Sequence, residues 1–401
     1  MRSYRIGSLF GIPIKLDLTF LVVLPLFAYL IGSGLGTYVE LLNDQFGAGL
    51  DVGALTGDAT VAFTLGAFAA IGLFVGVVLH ELGHSLVAMR FGFPIASITL
   101  WLFGGVAQLT EMPEDWKQEL YIAVAGPIVS ILLGAISYGA FLLVDPNGST
   151  VTAGLRFVLG YLALMNVVLA VFNMLPGFPM DGGRVLRALL ARTRPYARAT
   201  QLAAEVGKGF AILMGLFGLF GGGGLFLVAI AFFIYIGASS EAQQTMMKAA
   251  FEGVTVRDIM TPAEAVNTVS PDTSVADLVG RMFRERHTGY PVVEHGQVVG
   301  VVTLTDAQGV NEVERDAYRV EEVMSRELQT IGPDADAIDA LQQMQQAGVG
   351  RLLVMEDDDL VGLVSRSDLM TALNIIRESG SLQSSDREIE PPMATDTDRT
   401  T

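Results

Sequence analysis

The stretch "VLHELGHSL", residues 78–86, places ionisable side chains in the middle of a long apolar run. The chain has four histidines, and two of them, His80 and His84, lie four residues apart. On an α-helix, residues i and i+4 share one face, so both imidazoles can bind a single metal ion. Glu81 lies beside them, where it can take a proton from water at that metal. We therefore predict a catalytic metal site on a helix.

Within an apolar run, a His-Glu pair without a function would carry a free-energy cost. The chain is 51% hydrophobic with a mean hydropathy of +0.49, which is typical of a membrane protein. An ionisable residue at the centre of a membrane-spanning helix costs roughly 2.5–3.5 kcal/mol on insertion scales. Six segments have about the length needed to cross a bilayer. They lie at approximately 17–36, 61–88, 118–144, 153–175, 203–220 and 223–239.

The charge distribution separates this membrane part from a soluble part. Residues 251–401 carry −16 of the total net charge of −17. Such an acidic surface excludes a nucleic-acid partner, because phosphate contacts require clustered Lys and Arg. Together with only four Lys in the chain, it is typical of a halophile. The absence of Cys excludes disulfides and thiolate-ligated metals.

Lys and Arg near the segment ends predict the orientation, because positively charged loops stay cytoplasmic. The loops 37–60 and 145–152 contain neither residue type, and all flanking Lys and Arg fall on one side if the N-terminus is cytoplasmic. Six spans then return the C-terminal part to the cytoplasm. We predict a multi-pass protein of the cell membrane whose N-terminus and soluble part are cytoplasmic.

Between the second and third segments, "IASITLWLFGGVAQLTE" (95–111) alternates in polarity and contains Gly104–Gly105. This pattern predicts a short β-hairpin or re-entrant β element rather than another span. Such backbone can lie at membrane depth only where protein or a wet cavity covers it.

The soluble part contains an internal repeat. Val269–Asp306 aligns without a gap on Ile331–Asp368 at an offset of 62 residues. Each unit is predicted to have a lead-in, a helix, two strands around a turn and another helix, and a repeat of this size indicates two modules packed as one domain. We predict domains at 1–245 and 250–378, and a disordered tail at 379–401, which has little to bury.

A catalytic zinc needs a third protein ligand and an open position. Neither remaining histidine is near the spans, so a carboxylate is required. Asp181, within "NMLPGFPMDGGR" (173–184), lies at the end of the fourth segment, where Pro and Gly break the helix and expose polar backbone. Taken alone, Asp181 would be an ordinary turn residue at a helix stop. Three other carboxylates are weaker alternatives: Asp145, Glu111 and Glu119.

The two motifs together resemble the site-2 protease family of intramembrane zinc metalloproteases, over residues 1–240. The resemblance implies one Zn²⁺ held by His80, His84 and Asp181, with Glu81 as general base. It also implies that Asn173 lies near the site and helps to hold substrate or the developing oxyanion, and that the Gly104–Gly105 region presents an edge strand to an extended substrate. In "AGPIVS" (125–130), Ser130 stands where this family often has Asn, so no role of that Asn is transferred.

The repeat resembles a tandem pair of CBS domains, at about 253–313 and 318–377. Each unit ends its second strand in a hydroxyl-x-x-Asp pattern. The resemblance implies an adenine nucleotide held by these pairs: Thr303 with Asp306, and Ser365 with Asp368. The alternative is a purely structural or dimerising role, with a homodimer formed through the pair.

The predicted fold class is therefore a polytopic α-helical membrane domain of about six transmembrane helices with a short re-entrant β element, followed by a soluble α/β tandem CBS domain. The predicted function is cleavage of a single-span membrane protein within the lipid bilayer. A transporter or channel gated by the CBS pair is the alternative, and it would need polar residues along several spans, which this chain lacks.

Overall fold

The structure is a computed structural model that describes residues 3–101, 104–109, 113, 115–146, 148–357 and 359–386. It divides into two compact units, Met1–Gln243 and Gln244–Thr401. The first unit contains most of the apolar sequence, and the second contains the repeat.

The first unit is built from nine helices among its described residues. They are α1 (Phe20–Ser33), α2 (Leu35–Phe46), α3 (Val52–Thr56), α4 (Ala59–Arg90), α5 (Trp116–Leu143), α6 (Thr150–Asn173), α7 (Asp181–Ala191), α8 (Tyr196–Phe220) and α9 (Gly224–Ala250). Five of these, α4, α5, α6, α8 and α9, are long and apolar enough to cross a membrane. The prediction of about six spans is confirmed with one difference. The first predicted segment, 17–36, crosses a 67° bend between α1 and α2, where Gly34 interrupts the helix because glycine has a low helix propensity.

Local side chains set where the long helices begin. The Asp58 carboxylate accepts a hydrogen bond from the Thr60 N–H at the start of α4 (2.7 Å). Asp115 does the same for the first turn of α5, accepting from the Lys117 and Gln118 N–H groups at 2.9 and 3.0 Å. These caps satisfy donors that a helix leaves unpaired at its N-terminus.

Four strands form a sheet on the first unit, in the order β1 (Ser3–Leu9), β2 (Ile12–Asp17), β3 (Ile95–Trp101) and β4 (Gly104–Leu109). β3 and β4 form the β-hairpin predicted for residues 95–111, and Thr99 pairs with Val106. β2 runs parallel to β3, so the N-terminal hairpin extends the sheet in a way that the sequence did not predict. Among the described residues, β4 pairs with β3 alone and is the edge of the sheet.

The outer surface of the first unit is apolar. Several large hydrophobic side chains near the helix ends are 81–89% exposed: Leu143, Val151, Phe220 and Leu225. In lipid this exposure is favourable, whereas in water it would be costly. The surface therefore agrees with a multi-pass membrane domain.

The second unit repeats its elements at a constant offset of 62 residues. The first repeat contains α11 (Val275–Glu285), β6 (Gly289–Glu294), β7 (Gln297–Thr303) and α12 (Leu304–Gln308), and the second contains α14 (Ala337–Ala347), β9 (Arg351–Glu356), β10 (Asp359–Ser365) and α15 (Arg366–Asp386). Short elements complete the unit: α10 (Val256–Ile259), β5 (Thr261–Pro262), α13 (Val320–Val323), β8 (Thr330–Ile331) and 3₁₀ turns at Ala263–Ala265 and Glu312–Glu314.

Each repeat buries its own core, one centred on Tyr290 and the other on Leu352. The strands of the second unit form two sheets. One has the order β5-β10-β9-β8, and the other consists of β6 and β7. The helix-strand-strand-helix pattern predicted for each repeat is present. α15 ends at Asp386, inside the segment predicted to be a disordered tail, and residues 387–401 lie outside the described residues.

Candidate metal centre

His80, Glu81 and His84 lie in the last third of α4, a 32-residue helix. Both histidines are buried, at 3% and 4% exposure. Asp181 is the first residue of α7, about 100 residues further along the chain, and it is also buried. The structure brings these three ligand candidates together into one cluster.

The Nδ1 atoms of both imidazoles have hydrogen-bond partners within the protein. His84 Nδ1 donates to the Ile122 carbonyl at 2.7 Å, and His80 Nδ1 lies 2.9 Å from the Ser130 hydroxyl. A carbonyl can only accept, so the His84 proton is on Nδ1 and its Nε2 lone pair is free. Partners of this kind fix the tautomer and ring orientation of metal-binding histidines.

The Nε2 atoms of both histidines and the Asp181 carboxylate converge. Asp181 Oδ2 lies 3.1 Å from His80 Nε2 and 3.2 Å from His84 Nε2, and the two Nε2 atoms are 3.2 Å apart. When both imidazoles carry their proton on Nδ1, these three atoms are all acceptors and repel one another unless a cation lies between them. A tetrahedral zinc with bonds of about 2.0–2.1 Å separates its ligand atoms by about 3.3–3.4 Å. The residues therefore fit a zinc ion with two histidine ligands, one carboxylate ligand and an open fourth position.

Glu81 lies beside the cluster and against the sheet. Its Oε2 accepts a hydrogen bond from the Ala107 N–H of β4 at 3.3 Å. A Cβ atom at Gly105 would lie 2.6 Å from Glu81 Cγ, so only glycine allows β4 to approach this closely. Glu81 therefore lies next to both the metal ligands and the edge strand.

Gly126 of α5 lies close to the His80 and His84 side chains. A Cβ atom at Gly126 would lie 2.2 Å from His84 Nε2 and 2.7 Å from His80 Nε2. These atoms cannot give way without losing the geometry that binds the metal. Gly126 lies in the Ala-Gly-Pro element noted in the sequence, and close helix approach is its physical role here.

We expect Gly126→Ala to lower metal affinity on the order of 10–100-fold, because the methyl group must displace both imidazoles. Zinc content after dialysis against a chelator measures this effect. Gly139→Ala on the same helix is the matched control, since no atom lies within 4 Å of its added Cβ. Equal zinc in both variants would contradict the prediction.

Among the described residues, the cluster of possible metal ligands contains neither Glu119 nor Asp145. Glu119 is paired with Arg187, Asp145 follows the far end of α5, and Glu111 lies outside the described residues. Asn173 ends α6, and its Nδ2 donates to the Leu169 carbonyl at 3.0 Å. Its part in substrate binding stays a prediction.

Arg187 forms a buried ionic cluster that the sequence did not predict. Its Nε donates to Glu119 at 2.6 Å, and its Nη1 donates to Glu241 at 2.6 Å. The guanidinium lies 4.9 Å from the centres of both the Phe178 and Tyr196 rings. The cluster joins α5, α7 and α9, and so it fixes the short helix that begins with Asp181. Glutamates at the ends of apolar spans are the sequence signal, because each needs a partner when buried.

We expect Arg187→Met to lower the free energy of unfolding by about 3–5 kcal/mol, because it leaves two carboxylates uncompensated. Thermal unfolding in detergent measures the loss. Arg194→Met, at an exposed position just after α7, is the control and should change stability little. A melting temperature for Arg187→Met like that of the control would contradict the prediction.

The four predicted nucleotide-binding residues form two equivalent capping pairs. Asp306 Oδ2 accepts from the Thr303 N–H and hydroxyl at 2.7 and 2.6 Å, and Asp368 Oδ2 accepts from Ser365 at 2.8 and 2.7 Å. Thr303 and Asp306 line a cleft of about 610 Å³. A smaller cleft of about 70 Å³ lies near Leu363, and its lining does not include the second pair.

Two ionisable groups near the smaller cleft are perturbed. Burial lowers the pKa of Arg351, and the Tyr290 hydroxyl and the Asp368 carboxylate oppose this shift. Burial, reinforced by a hydrogen bond to Glu285, raises the pKa of Tyr290 to about 12.

Comparison with known proteins supports both units. Peptidase family M50 matches residues 68–146 and 141–216, and the CBS domain matches residues 256–309 and 320–375. The zinc metalloprotease MJ0392 of Methanocaldococcus jannaschii is 34% identical over 376 residues, covering 93% of this chain and 97% of that protein. Rip3 of Mycobacterium tuberculosis is 35% identical over 331 residues, covering 80% and 83%.

A solved site-2 protease from Methanocaldococcus jannaschii is 35% identical and covers 60% of this chain and 95% of its own, with a TM-score of 0.40. The relatives do not favour a CBS-gated transporter or channel. The chain belongs to Peptidase family M50, the site-2 proteases, and is an intramembrane zinc metalloprotease with a C-terminal pair of CBS domains.

Proposed function

We propose that this protease cleaves a single-span membrane protein whose backbone lies extended along the free edge of β4. The observation that carries the proposal is the position of Glu81, which follows His80 on α4 and accepts a hydrogen bond from the Ala107 N–H of β4. A strand edge offers unpaired N–H and C=O groups, and main-chain pairing holds a peptide regardless of its side chains. A substrate strand added there would bring its backbone next to Glu81.

The chemistry divides between the metal and Glu81. One zinc per chain, held by His80, His84 and Asp181, supplies a Lewis acid for the scissile carbonyl and lowers the pKa of the attacking water. The Glu81 carboxylate takes the proton of that water and then delivers it to the departing amide nitrogen. Ser130 and the Ile122 carbonyl keep the two imidazoles oriented throughout. Asn173 is proposed to bind substrate at the end of α6.

In the orientation proposed from the sequence, the site lies towards the cytoplasm, from which the water for hydrolysis enters. The Arg-rich segment at and after α7 stays on the cytoplasmic side, and Asp181 at the start of α7 therefore lies towards that face. The N-terminus and the CBS pair are cytoplasmic in this arrangement.

A proline scan of a substrate tests strand addition. The probe is a tagged single-span reporter whose cleaved segment receives one proline at a time, and product is measured by mass spectrometry. Proline removes one N–H, so cleavage should fall at every second position, where that N–H faces β4. Alanine at the same positions is the control. A smooth dependence on position, without the two-residue period, would overturn edge pairing.

We also propose that the CBS pair binds an adenine nucleotide in the 610 Å³ cleft. The cleft volume lies within the range of about 300–1,000 Å³ that small-molecule sites occupy. Its lining offers the Asp306 carboxylate to ribose hydroxyls and the Thr303 and Thr305 hydroxyls to phosphate. We also propose that the two CBS domains form the contact surface of a homodimer. The mass of the detergent-solubilised protein tests this proposal.

A further inference from the structure

The two clefts of the second unit are counterparts. Their lining residues correspond in pairs at the repeat offset of 62. The pairs, larger cleft first, are Val301 and Leu363, Gln329 and Asn267, Val349 and His287, and Leu353 and Pro291. Equivalent backbone therefore surrounds both clefts, yet their volumes are about 610 and 70 Å³.

One further pair of equivalent positions differs most in side-chain size. Arg351 begins β9, and its counterpart at the start of β6 is Gly289. The Arg351 guanidinium donates to the Gly289 carbonyl and, at 2.9 Å, to the Thr288 hydroxyl. A Cβ atom at Gly289 would lie 2.9 Å from Arg351 Cζ, so the arginine occupies the space that a side chain at 289 would need.

The contact of Arg351 with Thr288 and Gly289 has no counterpart in the opposite direction. Gly289 has no side chain that could reach across to Gly350 and Arg351 in the way that Arg351 reaches Thr288 and Gly289. The cleft of the first repeat's Thr303–Asp306 pair therefore stays open. The Arg351 side chain lines both clefts, and its guanidinium lies against Gly289, which lines only the smaller one. The volume of about 70 Å³ there is well below the range of ligand sites.

We propose that Arg351 closes the second cleft, so each chain binds one adenine nucleotide, at Thr303 and Asp306, and none at Ser365 and Asp368. This inference rests on the proposed nucleotide binding and adds its stoichiometry and location. The matching sequence motifs are then unequal in function: one pair contacts ligand, and the other only caps the first turn of α15.

Calorimetric titration of the full chain in detergent with AMP tests the proposal. AMP carries less phosphate charge than ADP or ATP, and Arg351 is the only basic residue that lines the larger cleft among the described residues. The expected stoichiometry is one AMP per chain. Asp306→Asn should lower the affinity at least about tenfold, and Asp368→Asn should leave it unchanged. The two variants alter the same capping contact at equivalent positions, so thermal unfolding of both controls for damage to the fold.

Arg351→Gly is the second variant, because it copies the residue of the first repeat. Because Arg351 also lines the larger cleft, this variant is compared in the Asp306→Asn background. Arg351→Gly combined with Asp306→Asn should bind AMP more tightly than Asp306→Asn alone, and this gain should disappear when Asp368→Asn is added. Two AMP in the wild type, loss of binding in Asp368→Asn alone, or no gain in a folded Arg351→Gly, Asp306→Asn variant over Asp306→Asn would each overturn the closed cleft. An absence of binding in both the wild type and Arg351→Gly would overturn the nucleotide proposal itself, and this inference with it.

Discussion

Asp181→Ala is expected to remove zinc and abolish cleavage. The variant deletes the one carboxylate that faces both His80 Nε2 and His84 Nε2 at 3.1–3.2 Å. Loss of an orienting group around a metal ligand already costs 10–100-fold in affinity, so loss of the ligand itself should cost on the order of 100-fold or more. Metal content by mass spectrometry on detergent-purified protein measures the effect.

Asp145→Ala is the matched control for this experiment. Asp145 is an exposed carboxylate beyond the end of α5, and its removal should leave zinc at the wild-type level. Equal zinc in Asp181→Ala and the wild type would mean that the third ligand lies elsewhere and would contradict the geometry described above.

Glu81→Gln should leave zinc bound while cleavage falls by about 10²–10⁴-fold, the usual contribution of a general base. The amide is similar in size to the carboxylate, and its oxygen can still accept from the Ala107 N–H, so β4 should keep its place. It cannot take a proton from water at neutral pH, however. Cleavage of a single-span reporter in proteoliposomes, alongside zinc content, separates the two effects.

Zinc content is the internal control for Glu81→Gln. A variant that has lost both zinc and activity would report a damaged site rather than a missing base. Cleavage at the wild-type rate with zinc bound would show that another group accepts the proton.

The cluster of candidate metal ligands could be predicted because its signals are local. His80 and His84 are one helical turn apart, and Asp181 follows a run of Pro and Gly that ends a span. The ionic cluster of Arg187 could not be predicted in this way. Its partners Glu119 and Glu241 are 68 and 54 residues away and lie on other helices, so no local periodicity connects them.

Long-range pairing also explains the parts of the fold that the sequence left open. The alternation in 95–111 predicts the β3–β4 hairpin, but the parallel contact between Ile14 and Ile98 joins strands more than 80 residues apart. In the second unit, the Thr303–Asp306 and Ser365–Asp368 motifs look equivalent. The contact of Arg351 with Gly289 distinguishes their surroundings, and it becomes visible only when the two repeats are folded together.

The placement of Asp181 on a helix far downstream of the histidines has a consequence for biogenesis. α4, with both histidines and the proposed general base, enters the membrane early, but the proposed metal site lacks a ligand until α5, α6 and the start of α7 have been synthesised. A chain interrupted before residue 181 therefore carries the histidine motif without a complete site. We expect such fragments to be proteolytically silent, so the bilayer is not exposed to an active peptidase until most of its membrane domain has been inserted.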